Sequence, residues 1–165
     1  MPNHRALAVA AYLVAASLIL VPLLDATLAI SPMRPTDFRW RFGATGVLSN
    51  AVMTPNAGVL LLLITAISYG HANFRRTIGA LAFVAAAFWT VAISMFVLDA
   101  LQMQPSVPAE MKTSFTVASS LALAKMVVDG TVLLALGFVG VRKSSGAAAS
   151  SEPPLLMADP KKTPR

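Results

Sequence analysis

Four long blocks of apolar residues dominate this sequence, and their length constrains the fold more than any other feature. The blocks cover about residues 6–30, 44–69, 77–101 and 113–141. Each is longer than the ~20 residues that an α-helix needs to cross a hydrocarbon core ~30 Å thick. Backbone amides find no water in lipid, and an α-helix satisfies all of them within one segment. The blocks therefore predict an all-α integral membrane protein, with a four-helix bundle formed by residues 1–143.

Charged residues are scarce and are placed as a membrane protein needs them. They make up 12% of the 165 residues, against about 25% in soluble domains. The net charge of +6 comes from Lys and Arg that mostly flank the apolar blocks or lie near the C-terminus, as membrane topology requires. The aromatic-rich basic groove of a single-strand binder is missing from the sequence. We therefore expect the lipid bilayer as a partner, and no nucleic acid.

Residues that hold cofactors or perform catalysis are sparse. The chain has no cysteine and two histidines, His4 and His71, which both lie at the ends of apolar blocks. Thiolate metal sites and disulfides are excluded, and a haem held by two histidines inside the bundle is disfavoured. No nucleophile with an adjacent base stands out in the sequence. We therefore expect no cofactor, no metal and no enzymatic activity.

The loops between the blocks differ in positive charge. The N-terminus, the loop after the second block and the C-terminal region carry eight Lys and Arg, whereas the other two loops carry four. This difference predicts that both termini are cytoplasmic. Compact size and Ala-rich composition favour a bacterial inner membrane. Residues 144–165 are rich in Ser, Gly, Ala and Pro, so a disordered cytoplasmic tail is predicted there.

The two halves of the sequence resemble each other. A shift of 74 residues places Asp25 on Asp99, and a shift of 73 places Pro35 on Pro108, Phe42 on Phe115 and Asn56 on Asp129. We therefore predict two tandem helical hairpins that form an internal repeat about an axis along the membrane normal. The alternative is that short loops favour Pro and helix ends favour acidic residues, without any repeat.

A candidate intramembrane polar site combines the second and fourth blocks. Lys125 and Asp129 lie four residues apart near the middle of the fourth block, so they share one helix face and we expect mutual neutralisation. In the second block, Ser49 and Asn56 share a face beside Pro55, which we expect to kink the helix. A kinked polar segment is either a binding site or a hydrogen-bonded helix contact. We favour the contact.

Four further charges are expected at the outer interface. Asp25 and Asp99 lie about one turn from the outer ends of the first and third blocks. We expect these carboxylates near the headgroups, paired with Arg39, Arg41 or Lys112. The alternative is that one of them accepts the mid-membrane lysine across the bundle. The candidate interface charges are Asp25, Asp99, Arg39 and Arg41.

Two functions fit these features. Short loops and the lack of a soluble domain favour a structural or accessory subunit of a membrane complex. The mid-membrane polar residues favour, as the alternative, a small oligomeric transporter or channel. Both interpretations predict a homo-oligomer or a larger membrane complex.

Overall fold

The computed structural model describes residues 4–142, which form five α-helices joined by short loops. The helices are α1 (His4–Ala29), α2 (Phe38–Ala51), α3 (Met53–Ser68), α4 (Ala72–Met103) and α5 (Lys112–Val141). Two single 3-10 turns, Gln104–Ser106 and Ala109–Met111, link α4 to α5. The described residues contain no strand, which confirms the all-α prediction. The predicted tail, 144–165, lies outside the described residues.

Three of the helices, α1, α4 and α5, are long and apolar enough to cross a membrane. The consecutive helices α2 and α3 make a fourth candidate span when they are counted as one bent segment. At 1.5 Å of rise per residue, the 26 residues of α1 extend about 39 Å, which exceeds a hydrocarbon core of about 30 Å. The lengths and compositions are consistent with membrane insertion.

The second apolar block differs from its prediction at its start and agrees with it near its middle. It begins at Phe38 rather than near residue 44, because the Asp37 carboxylate accepts a hydrogen bond from the Arg39 amide (2.9 Å) and caps the helix. It also breaks at Val52, where α2 and α3 meet with a bend of 43°. Pro55 explains the break, since it has no N–H for the Ala51 carbonyl and its ring clashes with that group. The expected kink is present.

Packing divides the helices into two pairs. The largest interfaces join α4 to α5 and α1 to α3, as two tandem hairpins would. In contrast, α1 packs on α2 and α3 and forms no comparable interface with α4 or α5. A closed four-helix bundle and an internal repeat therefore stay predictions.

The apolar core lies between the two pairs of helices. One cluster contains Trp89, Phe96 and Met126, and the Trp89 indole donates a hydrogen bond to the Met126 carbonyl (2.8 Å). A second cluster, centred on Leu63 and Leu136, lies closer to the loop between α3 and α4. These clusters fix α4 and α5 against α2 and α3, and so position the polar side chains between them.

Candidate functional site

Three polar contacts connect α2 and α3 to α4 and α5, and we call them together the polar ladder. Its outer contact is near the start of α2, its middle contact is near the end of α2, and its inner contact is near the start of α3. The contacts, in that order, are Arg41–Asp99, Lys125–Asn50 and Asn56–Asp129. Each contact therefore joins the first half of the described chain to the second half.

The outer contact is an ion pair with fork geometry. Arg41 donates from Nε and Nη2 to the two carboxylate oxygens of Asp99, at 3.1 and 2.7 Å. Its Nη1 donates to the Pro35 carbonyl (3.0 Å). Asp99 was predicted to pair with a basic residue near the headgroups. The structure pairs it with Arg41 and leaves the carboxylate only 1% exposed. Such bidentate pairs are among the stronger charge-assisted hydrogen bonds.

The middle contact differs from the expected pairing of Lys125. Its ammonium donates to the Asn50 side-chain oxygen. Within residues 4–142, Arg41 and Asp99 form the only ion pair closer than 4.0 Å, so Lys125 and Asp129 do not pair directly. Asn50 was not among the predicted site residues, although an amide side chain within an apolar block is a signal for a polar contact.

The inner contact joins two residues that the proposed repeat makes equivalent. The Asn56 amide donates to the Asp129 carboxylate at 3.3 Å, and both side chains are buried, at 6% and 7% exposure. The same register, 73 residues, separates Phe42 from Phe115, whose rings stack 5.5 Å apart. Two pairs of matched positions therefore contact each other.

Other predicted residues lie away from the ladder. Ser49 is buried, but its hydroxyl donates to the Gly46 carbonyl of its own helix (2.8 Å). Asp25 is exposed on α1 and forms no ion pair with the described residues. Arg39 is exposed, with its guanidinium 5.8 Å from the centre of the Phe38 ring. The structure thus brings Asp99 and Arg41 together, and leaves Asp25 and Arg39 outside that pair.

An open groove of about 500 Å³ separates α3 from α5, and we call it the α3–α5 groove. Its polar residues are Asn56, Lys125 and Asp129, near the middle of the helices. The remaining lining residues are apolar: Met53, Ala57, Leu60, Ala124, Val128 and Val132. Met53 is 73% exposed and Val128 is 61% exposed, so no helix within residues 4–142 covers this groove.

Comparison with known proteins finds no matching family, no similar curated protein and no similar solved structure. No group of three His, Cys, Asp or Glu in the described part of the chain is placed to hold a metal ion. The polar ladder and the α3–α5 groove together define the chemistry available at this site. The ladder supplies one guanidinium, one ammonium, two carboxylates and two amides, and the rest of the groove lining is apolar.

Proposed function

We propose that this chain is a multi-pass protein of the bacterial inner membrane and acts as a structural or accessory subunit of a membrane complex. In this proposal the α3–α5 groove receives a transmembrane helix of a partner subunit, and both termini lie in the cytoplasm. No catalytic activity forms part of the proposal. The observation that carries it is the amide partner of Lys125, because an amide cannot neutralise an ammonium.

A charge in the hydrocarbon region needs a counter-charge. A lysine at the centre of a membrane helix costs about 2.5–3.5 kcal/mol on insertion scales. Arg41 meets this requirement with Asp99, whereas Lys125 has no carboxylate within ion-pair distance among the described residues. A partner helix that carries a carboxylate at this depth would supply the missing counter-charge.

The walls of the groove suit a helix. Ala57 and Ala124 line it on opposite sides, and small residues let helix backbones approach closely, which favours association in lipid. Gly58, which contacts α1, lies about 160° around α3 from Leu60 at 100° per residue. A helix in the groove would therefore occupy the side of α3 opposite α1.

Site-specific photo-crosslinking in membranes tests the proposal. A photoreactive residue at Val128 should form a stoichiometric adduct with a partner, and one at Leu13, which is equally exposed on α1, should not. Lys125→Met should abolish the Val128 adduct, whereas Lys125→Arg, which keeps the charge, should retain it. Equal adducts from both positions, or an adduct insensitive to Lys125→Met, would contradict the proposal. An adduct between two copies would identify the partner as this chain itself.

One observation favours a transporter as the second candidate. The break at Val52 lies between the middle and inner contacts of the ladder, and interrupted helices with nearby polar groups line substrate sites in transporters. Asp129→Asn combined with Lys125→Ala should then abolish solute flux in proteoliposomes while oligomer assembly persists. In an accessory subunit the same double variant should instead lower the yield of the complex.

A further inference from the structure

A second cavity lies where α1 ends and α2 begins. Its volume is about 500 Å³, and it is separate from the α3–α5 groove. Its polar lining consists of Ser31, Arg34, Asp37, Arg39 and Trp40. Its apolar lining consists of Ala29, Ile30, Pro32, Gly43, Ala44 and Val47. We call it the loop cavity.

The loop cavity is held in shape by hydrogen bonds from its own wall. The Trp40 indole donates to the Ile30 carbonyl at 3.0 Å, and so ties α2 to the end of α1. The Asp37 amide donates to the Arg34 carbonyl at 3.0 Å. The Arg41 guanidinium donates to the Pro35 carbonyl at 3.0 Å. The loop is therefore folded onto the start of α2, and Arg34 of the loop and Arg39 of α2 line one cavity.

Charge in the loop cavity is unbalanced. Arg34 and Arg39 form no ion pair closer than 4.0 Å with any described residue. The Asp37 carboxylate is the one acid in the lining, and it already accepts the Arg39 amide as a helix cap. The charged lining residues, Arg34, Arg39 and Asp37, sum to one net positive charge. One phosphodiester anion, with a single negative charge, would neutralise it. Guanidinium groups bind phosphate through paired, charge-assisted hydrogen bonds.

The cavity also combines polar and apolar walls in the way that a lipid headgroup requires. Trp40 lies beside the arginines, and tryptophan is enriched at the headgroup level of membranes. Ile30, Ala44 and Val47 offer apolar contact on the remaining side. We infer that the loop cavity binds the phosphodiester of an anionic phospholipid at the outer surface of the membrane. This inference depends on the proposed membrane insertion, but not on the proposed role of the α3–α5 groove.

Lipid retention measured by native mass spectrometry tests this inference. The full-length protein, purified in mild detergent, is mixed with equal amounts of phosphatidylglycerol and phosphatidylcholine. The unmodified chain should retain one phosphatidylglycerol in preference to phosphatidylcholine. The double variant Arg34→Gln, Arg39→Gln should weaken this retention by roughly tenfold, because it removes both charge-assisted contacts.

A variant that fills the loop cavity distinguishes lipid binding inside the cavity from lipid binding to any positively charged surface. A side chain at Gly43 would enter open space, since an added Cβ there meets no atom within 4 Å. Gly43→Leu should therefore fill part of the loop cavity without changing charge, and should also reduce retention. Arg76→Gln, an exposed arginine at the start of α4, and Lys125→Met in the α3–α5 groove should both leave retention unchanged.

Inorganic phosphate distinguishes the two sources of the anion. If free phosphate at the lipid concentration displaces phosphatidylglycerol, the site recognises the phosphate alone. If it does not, the glycerol and acyl chains contribute to binding, as the apolar wall predicts. Equal retention by the unmodified chain and the Arg34→Gln, Arg39→Gln variant would overturn the inference, as would equal retention of the two lipids by the unmodified chain. Loss of the Val128 crosslink would leave it intact, since that result concerns the groove.

Discussion

At the residue scale, two basic side chains of the helices, Arg41 and Lys125, are accommodated in different ways. The planar guanidinium of Arg41 takes both oxygens of the buried Asp99, so the pair is neutral as a unit. The ammonium of Lys125 bonds an amide oxygen and keeps its full charge. Arginine suits such fixed pairs because its donors form a rigid fork, whereas lysine presents a compact charge on a flexible stem. Arg41 is thus paired with a carboxylate of the same chain, whereas the partner of Lys125 among the described residues is a neutral amide.

The Arg41–Asp99 pair predicts non-additive effects on stability. Asp99→Asn leaves the guanidinium without an anion and should lower the melting temperature in detergent by roughly 5 °C. Arg41→Lys should have a smaller effect, since it keeps the charge and loses the fork. The double variant Arg41→Gln, Asp99→Asn should lose less than the single variants Arg41→Gln and Asp99→Asn combined, because it removes both charges together. Thermal unfolding followed by circular dichroism compares the unmodified chain with these four variants, and strict additivity would contradict a direct pair.

At the element scale, the helix break and one close helix crossing set the geometry of the ladder. The break at Val52 lets α2 place Asn50 against Lys125 while α3 places Asn56 against Asp129. Near the start of α4 and the end of α5, these two helices cross in close contact. A Cβ on Gly79 would lie 2.8 Å from the backbone of Gly140, which is too close for any side chain.

The proline that causes the bend can be removed. Pro55→Ala restores an amide that can bond the Ala51 carbonyl, so α2 and α3 should straighten from their 43° bend. The distance between spin labels at positions 39 and 68 should then increase by about 3 Å, given 1.5 Å of rise per residue. The chain has no native cysteine, so two introduced cysteines suffice for double electron–electron resonance. An unchanged distance would show that tertiary contacts, and not Pro55, maintain the bend.

The close contact between Gly79 and Gly140 predicts that a side chain added at Gly79 lowers stability, whereas one added at an uncrowded glycine does not. Gly79→Ala should push α4 away from α5 and destabilise the protein by about 1–3 kcal/mol, the usual effect of overpacking. Gly46→Ala is the matched control, because an added Cβ there meets no atom within 4 Å and alanine favours a helix. Chemical denaturation in mixed micelles compares the two variants. A Gly46→Ala variant that loses as much stability as Gly79→Ala would contradict the close approach.

At the scale of the whole molecule, the two halves meet along the ladder and the apolar clusters beside it. α1 packs on one side of α3, and the α3–α5 groove opens on the other side.

The Arg41–Asp99 pair also bears on the proposed orientation in the membrane. The proposed orientation places Arg34, Arg39 and Arg41 outside, against the positive-inside rule. The structure balances Arg41 with a carboxylate of the same chain. The positive-inside rule counts positive residues rather than net charge, so a direct measurement is needed.

Cysteine labelling on intact cells measures the orientation. A cysteine introduced at Thr36, in the loop between α1 and α2, should react with a membrane-impermeant maleimide. A cysteine at Asn73, at the start of α4, should react only after the membrane is permeabilised. Both positions are exposed, so a difference in labelling reports membrane sidedness and not burial. The reverse pattern would place both termini outside.

Hydropathy and local backbone chemistry were sufficient to predict the helical segments. Four apolar blocks predicted the helical segments, and Pro55 predicted a bend, because both effects act within a few residues of the chain. The predicted start of α2, near residue 44, is wrong. The charged residues around Arg41 are typical of a loop, but here they belong to the helix. The helix continues through them because Asp37 caps it and Asp99, far away in sequence, neutralises Arg41.

Only the tertiary structure decided the partners of the polar side chains. Spacing placed Lys125 and Asp129 on one face of a helix, yet each bonds an amide from the other half of the chain. Likewise, Ser49 shared a predicted face with Asn56 but bonds its own helix. Sequence spacing determines which side chains share a face of one helix. It does not determine which neighbouring helix approaches that face, or at what height, because those depend on packing over the whole length of both helices.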